Sequence, residues 1–181
     1  EETQLTDVYQ RLREICPELF LVLVPRHPER CRQVQDELGK RNVAAVLRSS
    51  LAEMNRNLQP GEIMIVDTLG EVLKLYALSD LVFVGGSLVD IGGHNILEAA
   101  LLKKPVMYGS HMQNFKEIAR LVRAAHAGLQ VKNTDELYRQ MRILIENPDE
   151  AMRIGENGHH LLEQNRGATQ RTLEVIDRRM L

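Results

Sequence analysis

Cysteine is scarce in this chain. Cys16 and Cys31 are the only two among 181 residues, with no CxxC spacing and no histidine at ligand distance. That excludes a disulfide framework and a thiolate metal site, and implies reduced thiols in a cytosolic compartment. Basic charge is not in excess either: 23 Lys and Arg stand against 25 Asp and Glu, a net charge of -2. Only short pairs such as Lys103-Lys104 and Arg178-Arg179 occur, so no nucleic-acid partner is expected. The apolar run LFLVLVP stops at Pro25 and Arg26, too short to cross a bilayer. A secretory signal is lacking, since Glu1-Glu2 run straight into a helical pattern, and with no initiator methionine a piece of a longer protein is expected. No period of 20 to 50 residues repeats, which argues against a solenoid.

Several chemical signatures are also missing. Neither GxGxxG nor GxxxxGK[ST] occurs, which disfavours a hydride-transfer enzyme and a P-loop ATPase. Without HxxxH or HExxH spacing no metal site is expected, and without GxSxG there is no acyl-transfer nucleophile.

What is present is an ordinary globular composition, 44% apolar and 27% charged, in which short apolar runs alternate with helical segments. Strands are expected at 19–24, 43–47, 62–66, 81–84, 105–108 and 129–131. The first of these, continuously apolar, reads as covered on both faces. Helices are expected at 6–15 (capped by Thr6 or Asp7), 29–41, 70–78, 95–102, 114–125 (ended by Gly128), 134–146, 149–164 and 168–178. Residues 48–60 read as a loop or a short irregular helix. The pattern predicts an α/β fold: one doubly wound parallel sheet of about six strands in a single domain over 1–181, with C-terminal helices from about 134.

Ligands of such sheets sit outside the carboxyl ends of the strands. There the sequence places Pro25-Arg26-His27, Arg48-Ser49-Ser50, Asp67 to Glu71, Gly85 to Asn95 and Tyr108 to Asn114. In Gly85-Gly86-Ser87 and Gly92-Gly93-His94-Asn95, glycines let backbone approach an anion, and a helix start offers unpaired N–H groups to a phosphate. The simpler reading is a set of turns with Asn95 and Glu98 as a capping pair. Glu98 is suited to accept from a ribose diol, or to compensate the helix dipole, and His94 is placed on its face. Arg26, between Pro25 and Pro28, is suited to grip a phosphate or carboxylate. Gly70 and Glu71 suit the edge of a base or a ribose, and His111 is the acid/base or substrate-contact histidine of choice.

These strings, in this order, resemble one family. PRHP at 25–28, DTLGE at 67–71, VFVGGSLVDIGGHNILEAA at 82–100, and PVMYGSH with Asn114-Phe115 are similar to the C-terminal half of the 3-deoxy-D-manno-octulosonic acid (Kdo) transferases, GT-B glycosyltransferases. The resemblance implies a Rossmann-like donor domain, the C-terminal half of a GT-B fold, with the N-terminal acceptor domain absent. It implies transfer of Kdo from CMP-Kdo to a lipid A precursor in lipopolysaccharide biosynthesis, with inversion and without metal or cofactor. CMP contacts carry over onto Pro25, Arg26, Leu69, Gly70, Glu71, Asn95, Ile96, Leu97 and Glu98. Further donor contacts are Ser49, Gly86, Ser87, Gly93, His94 and His111. Leu69 stands where the family often has methionine, and the family's HNPLEPA string lacks its prolines here; neither change threatens the site.

No catalytic residue is expected in this chain. The general base, a glutamate in the family, belongs to the N-terminal domain, as do the acceptor surface and the membrane attachment at the cytoplasmic face of the inner membrane. The fragment alone is expected to be soluble and to lack turnover. The competing readings are a GT-B enzyme or epimerase using a UDP-sugar, a non-catalytic nucleotide-binding or interaction module, and an α/β domain with no ligand.

Overall fold

The computed structural model describes residues 1–165; the helix expected at 168–178 lies outside them. In chain order the elements are α1 (Glu2–Arg13), β1 (Leu21–Leu23), α2 (Cys31–Lys40), β2 (Ala45–Leu47), α3 (Arg48–Glu53), β3 (Ile63–Ile65) and α4 (Val72–Leu78). There follow β4 (Val82–Val84), α5 (Leu97–Leu101), β5 (Val106–Tyr108), α6 (Lys116–Ala124), β6 (Leu129–Gln130), α7 (Thr134–Glu146) and α8 (Pro148–Asn165). Single 3₁₀ turns at Pro28–Arg30 and Gln113–Phe115 lead into α2 and α6. The chain forms two compact units, Glu1–Leu78 with Val131–Glu146, and Ser79–Gln130 with the chain from Asn147.

The mixed α/β architecture with parallel strands is as expected, but the strands do not ladder as one sheet of six. They form two three-stranded parallel sheets, in the orders β1-β3-β2 and β4-β5-β6. Each apolar run looks alike in sequence, and periodicity cannot tell a central strand from an edge. For the same reason β1 departs from its reading as a strand covered on both faces: Leu23 is buried, while Phe20, Val22 and Val24 alternate with it and are exposed. That alternation marks a strand with one face inward.

In the first unit the helical spacing Cys31, Val34, Leu38 buries one stripe of α2 against Tyr9, Leu23, Leu47, Ile63 and Ile65. Cys31 is locked in that core, its Sγ 3.4 Å from the Val66 carbonyl, and burial raises its thiol above the ordinary value, with Asp67 adding to the effect. Both cysteines are free. α1 begins four residues before the expected start. Thr6 is therefore no cap but a buried interior residue, its hydroxyl donating to the Glu2 carbonyl at 2.9 Å.

In the second unit, α8 packs on α5 through small residues. A Cβ on Gly155 would stand 2.0 Å from the Lys103 carbonyl oxygen, and one on Gly158 3.0 Å from the Ala100 Cβ. Helix ends also differ from expectation. α6 is stopped by His126 at φ 50, with Ala127 N–H donating to Val122 O at 2.9 Å and His126 N–H to Arg123 O at 3.1 Å. This is the Schellman closure with histidine in the left-handed position. Gly128 serves packing instead, since a Cβ there would meet Val106 and Val122 at 2.8 Å. Asn42, Asn55 and Lys103 end α2, α3 and α5 in the same way.

Candidate functional site

In the first unit the register sets Leu23, Ile65 and Leu47 side by side. Because the strands are parallel, the segments after them all emerge at one carboxyl edge: Pro25-Arg26, Arg48-Ser49 and Asp67 to Glu71. Pro25 is buried and Arg26 exposed, so the arginine leaves the sheet edge from a fixed base. The His27 Nδ1 lies 3.3 Å from Glu29 Oε1, in the turn that leads into α2.

The ends of β2 and β3 are latched. Asp67 accepts from the Ser49 backbone N–H at 3.0 Å and from the Ser49 hydroxyl at 2.5 Å. α3 carries no side-chain cap of its own, so a carboxylate from the neighbouring strand satisfies one of its first N–H groups. Burial works to raise the Asp67 carboxyl, but the Ser49 side-chain and backbone hydrogen bonds, aided by its own backbone and by Arg32, outweigh it. The group is held below the ordinary carboxylate value.

The turn after β3 then presents three predicted residues. Leu69 is 83% exposed, a large apolar side chain offered to solvent. Gly70 has φ 80, and a Cβ there would meet nothing within 4 Å, so its requirement is backbone conformation rather than space. The Glu71 carbonyl accepts from Leu75 N–H at 3.0 Å at the start of α4. Its carboxylate accepts from the Thr68 hydroxyl and lies 3.5 Å from Arg48 Nη2. Ser49, predicted as a donor contact, is engaged with Asp67. Sequence reasoning gave no task to Arg48, Thr68 or Asp67. The strand-end rule pointed at their segments, but it could not pair residues about 20 positions apart without knowing that β2 and β3 are neighbours.

In the second unit the glycine-rich loop is stitched to the loop after β5. Ser87 is 0% exposed; its hydroxyl donates to Val84 O at 2.5 Å and accepts from Gly109 N–H at 2.8 Å, while its carbonyl accepts from His111 N–H at 2.9 Å. Gly93 N–H donates to Gly86 O at 2.7 Å, and Asn114 N–H to Gly92 O at 3.1 Å. The Ser87 hydroxyl and the Gly93 N–H are thus engaged in building the loop. Gly86, Gly92 and Gly93 all have positive φ, and a Cβ on Gly86 would come within 3.2 Å of His94 Nε2.

α5 starts at Leu97, not at 95. Asn95 therefore precedes the helix, its Oδ1 accepting from Leu97 N–H at 3.1 Å and its Nδ2 donating to Glu98 Oε1 at 3.3 Å. Asn95 and Glu98 meet side chain to side chain rather than as a capping pair, since Ile96 takes the cap position, and Glu98 stays half-buried with acceptor capacity to spare. Ile96 is 0% exposed, so the residue as a whole belongs to the core and, unlike its half-buried neighbours Asn95 and Leu97, offers no surface to a ligand. His94 lies outside the helix, so it does not share a helical face with Glu98. His111 is half-buried, with Nδ1 3.4 Å from Asp90 Oδ1, an oxygen that also accepts from Gln113 Nε2 at 2.7 Å. Among the described residues no three His, Cys, Asp or Glu side chains are grouped to hold a metal ion, and no helix is long and apolar enough to cross a membrane.

No family model matches the chain. It is 42% identical over 161 residues to a 3-deoxy-D-manno-octulosonic acid transferase of Haemophilus influenzae, covering 88% of this chain and 37% of that protein. A transferase of the same name from Bordetella pertussis is 32% identical, over 93% of this chain and 39% of its own length. A bifunctional glycosyltransferase/methyltransferase of Fusobacterium nucleatum is 34% identical, over 92% of this chain and 24% of its own. The chain thus spans well under half the length of these relatives. Among solved structures, the C-terminal CMP-Kdo binding domain of WaaA from Acinetobacter baumannii superposes with a TM-score of 0.80 at 28% identity, covering 89% of this chain and 82% of that one. The chain is thus similar in sequence to part of the Kdo transferases and in fold to the C-terminal CMP-Kdo binding domain of WaaA.

Proposed function

We propose that the chain is the donor-binding part of a Kdo transferase and binds CMP-Kdo. The observation that carries this reading is the superposition on a CMP-Kdo binding domain over 89% of the chain. Its residues have fitting chemistry. Arg26, exposed beyond Pro25, compensates the donor's phosphate charge, which grows as CMP leaves. Leu69, Gly70 and Glu71 serve the base, with Leu69 as an apolar surface and Glu71 as an acceptor. Glu98 accepts from ribose hydroxyls, and the half-buried Asn95 and Leu97 flank it, while Ile96 anchors the segment in the core.

In the whole protein the reaction is a single inverting displacement. The acceptor hydroxyl oxygen of a lipid A precursor bonds to the anomeric carbon of Kdo, the bond to the CMP phosphate breaks, and a base takes the hydroxyl proton. This chain's share is donor binding and stabilisation of the leaving phosphate, with no resident metal or cofactor. The base, the acceptor surface and membrane attachment at the cytoplasmic face belong to the part of the protein outside these residues. Calorimetric titration tests the reading: the 181-residue chain should bind CMP more tightly than UMP and transfer no Kdo. Equal or preferred UMP binding would favour a UDP-sugar enzyme, and Kdo transfer by the chain alone would contradict the division of labour.

A further inference from the structure

Arg48 opens α3 at the carboxyl end of β2, and the Asp67 latch on the next residue, Ser49, fixes the backbone from which its side chain departs. Its guanidinium reaches across to the turn after β3, where Nη2 lies 3.5 Å from Glu71 Oε1. The other carboxylate oxygen, Oε2, accepts from the Thr68 hydroxyl. Each oxygen of Glu71 is thus held by a different partner, one from each of two neighbouring strand ends. A carboxylate offers about four acceptor positions, so this arrangement leaves roughly half of them open.

Without these ties Glu71 would sit on a turn built around Gly70 at φ 80, with its side chain free to sample several rotamers. Ordering a glutamate at the moment of binding costs affinity that a side chain already ordered does not lose. Arg48 acts on Glu71 by charge, as an ion pair that favours one direction of the carboxylate over the others. Side-chain exposures of 36% for Arg48 and 26% for Glu71 leave the pair open to water, so as a plain surface ion pair it would contribute little to stability.

We propose that Arg48 is a positioning residue of the nucleotide site: with Thr68 it holds the Glu71 carboxylate in the orientation that accepts from the nucleotide. The proposal rests on the donor-domain reading above. It requires that Arg48 act through Glu71 and not by touching the ligand.

The test is a double-mutant cycle on CMP affinity in the 181-residue chain, with thermal midpoints as the folding control. Arg48→Met should weaken CMP binding about fivefold, and Arg48→Lys should recover part of the loss. In a Glu71→Ala background Arg48→Met should change affinity by less than about twofold, because no carboxylate is left to position. The same fivefold loss in both backgrounds would overturn the proposal, as would unchanged affinity in Arg48→Met. Should Arg48→Met fail to fold, Thr68→Val removes the other tie and carries the same cycle, with the same expected and overturning results. If the unsubstituted chain binds no CMP, the donor-domain reading falls and this one falls with it; if it binds and the cycle is additive, only this one falls.

Discussion

At Gly109 the loop after β5 runs against the backbone of the glycine-rich loop after β4. A Cβ there would stand 2.1 Å from the Ser87 carbonyl oxygen, 2.3 Å from its carbon and 2.5 Å from the Leu88 nitrogen, all backbone atoms. No side-chain rotation relieves such a clash, so Gly109→Ala must push the two loops apart. Overpacking of this kind costs about 1–3 kcal/mol. Separation also strains the Gly109 N–H bond to Ser87 Oγ and the His111 N–H bond to Ser87 O. A buried group left unsatisfied costs about 1–3 kcal/mol. Together the expected loss is about 2–6 kcal/mol, a large share of the roughly 5–15 kcal/mol that holds a domain folded. Gly70→Ala is the control, with open space around the Cβ and only a positive φ to satisfy, costing about 1–2 kcal/mol. Urea unfolding followed by circular dichroism measures both. A Gly109→Ala midpoint no lower than that of Gly70→Ala would refute the stitched-loop account.

Glu98→Ala should weaken CMP binding by about 1.5–3 kcal/mol, the worth of a charged hydrogen bond, in calorimetry at neutral pH; unchanged affinity would remove the ribose role. Asp67 has its folded-state carboxyl held below the ordinary value. Its contribution to stability is therefore fully present above the unfolded carboxylate value of about 3.9 and is lost as pH falls through the lower folded value. Asp67→Asn should flatten that part of the acid unfolding curve while lowering stability at neutral pH, and an unchanged acid limb would contradict the latch.

Much of the fold is legible because apolar runs and caps are local signals. Thr134–Glu146 forms as a helix with the expected bounds, and β1 to β6 each fall inside a run singled out as apolar. Pairing is not local. Nothing in LFLVLV reveals that Phe20, Val22 and Val24 face outward, or that the strands ladder three and three. Helix stops depart from expectation where Asn42, Lys103 and His126 take the left-handed position that sequence rules assign first to glycine. The site obeys the same division. Its candidate segments lie at the carboxyl ends of β1 to β5, a rule that needs only strand ends. Which residues work inside the loops, such as Ser87 and Gly93, and which reach across, such as Arg48 to Glu71, depends on strand neighbours about 20 residues away in sequence.

The central claim is that this chain is a CMP-binding donor domain, and a residue-resolved chemical-shift titration of the 181-residue chain with CMP tests it most directly. Saturable shifts at Arg26, at Leu69 to Glu71 and at Asn95 to Glu98, with weaker response to UMP, are the result predicted. Saturation confined to other residues, or no saturable response to CMP at all, would contradict it.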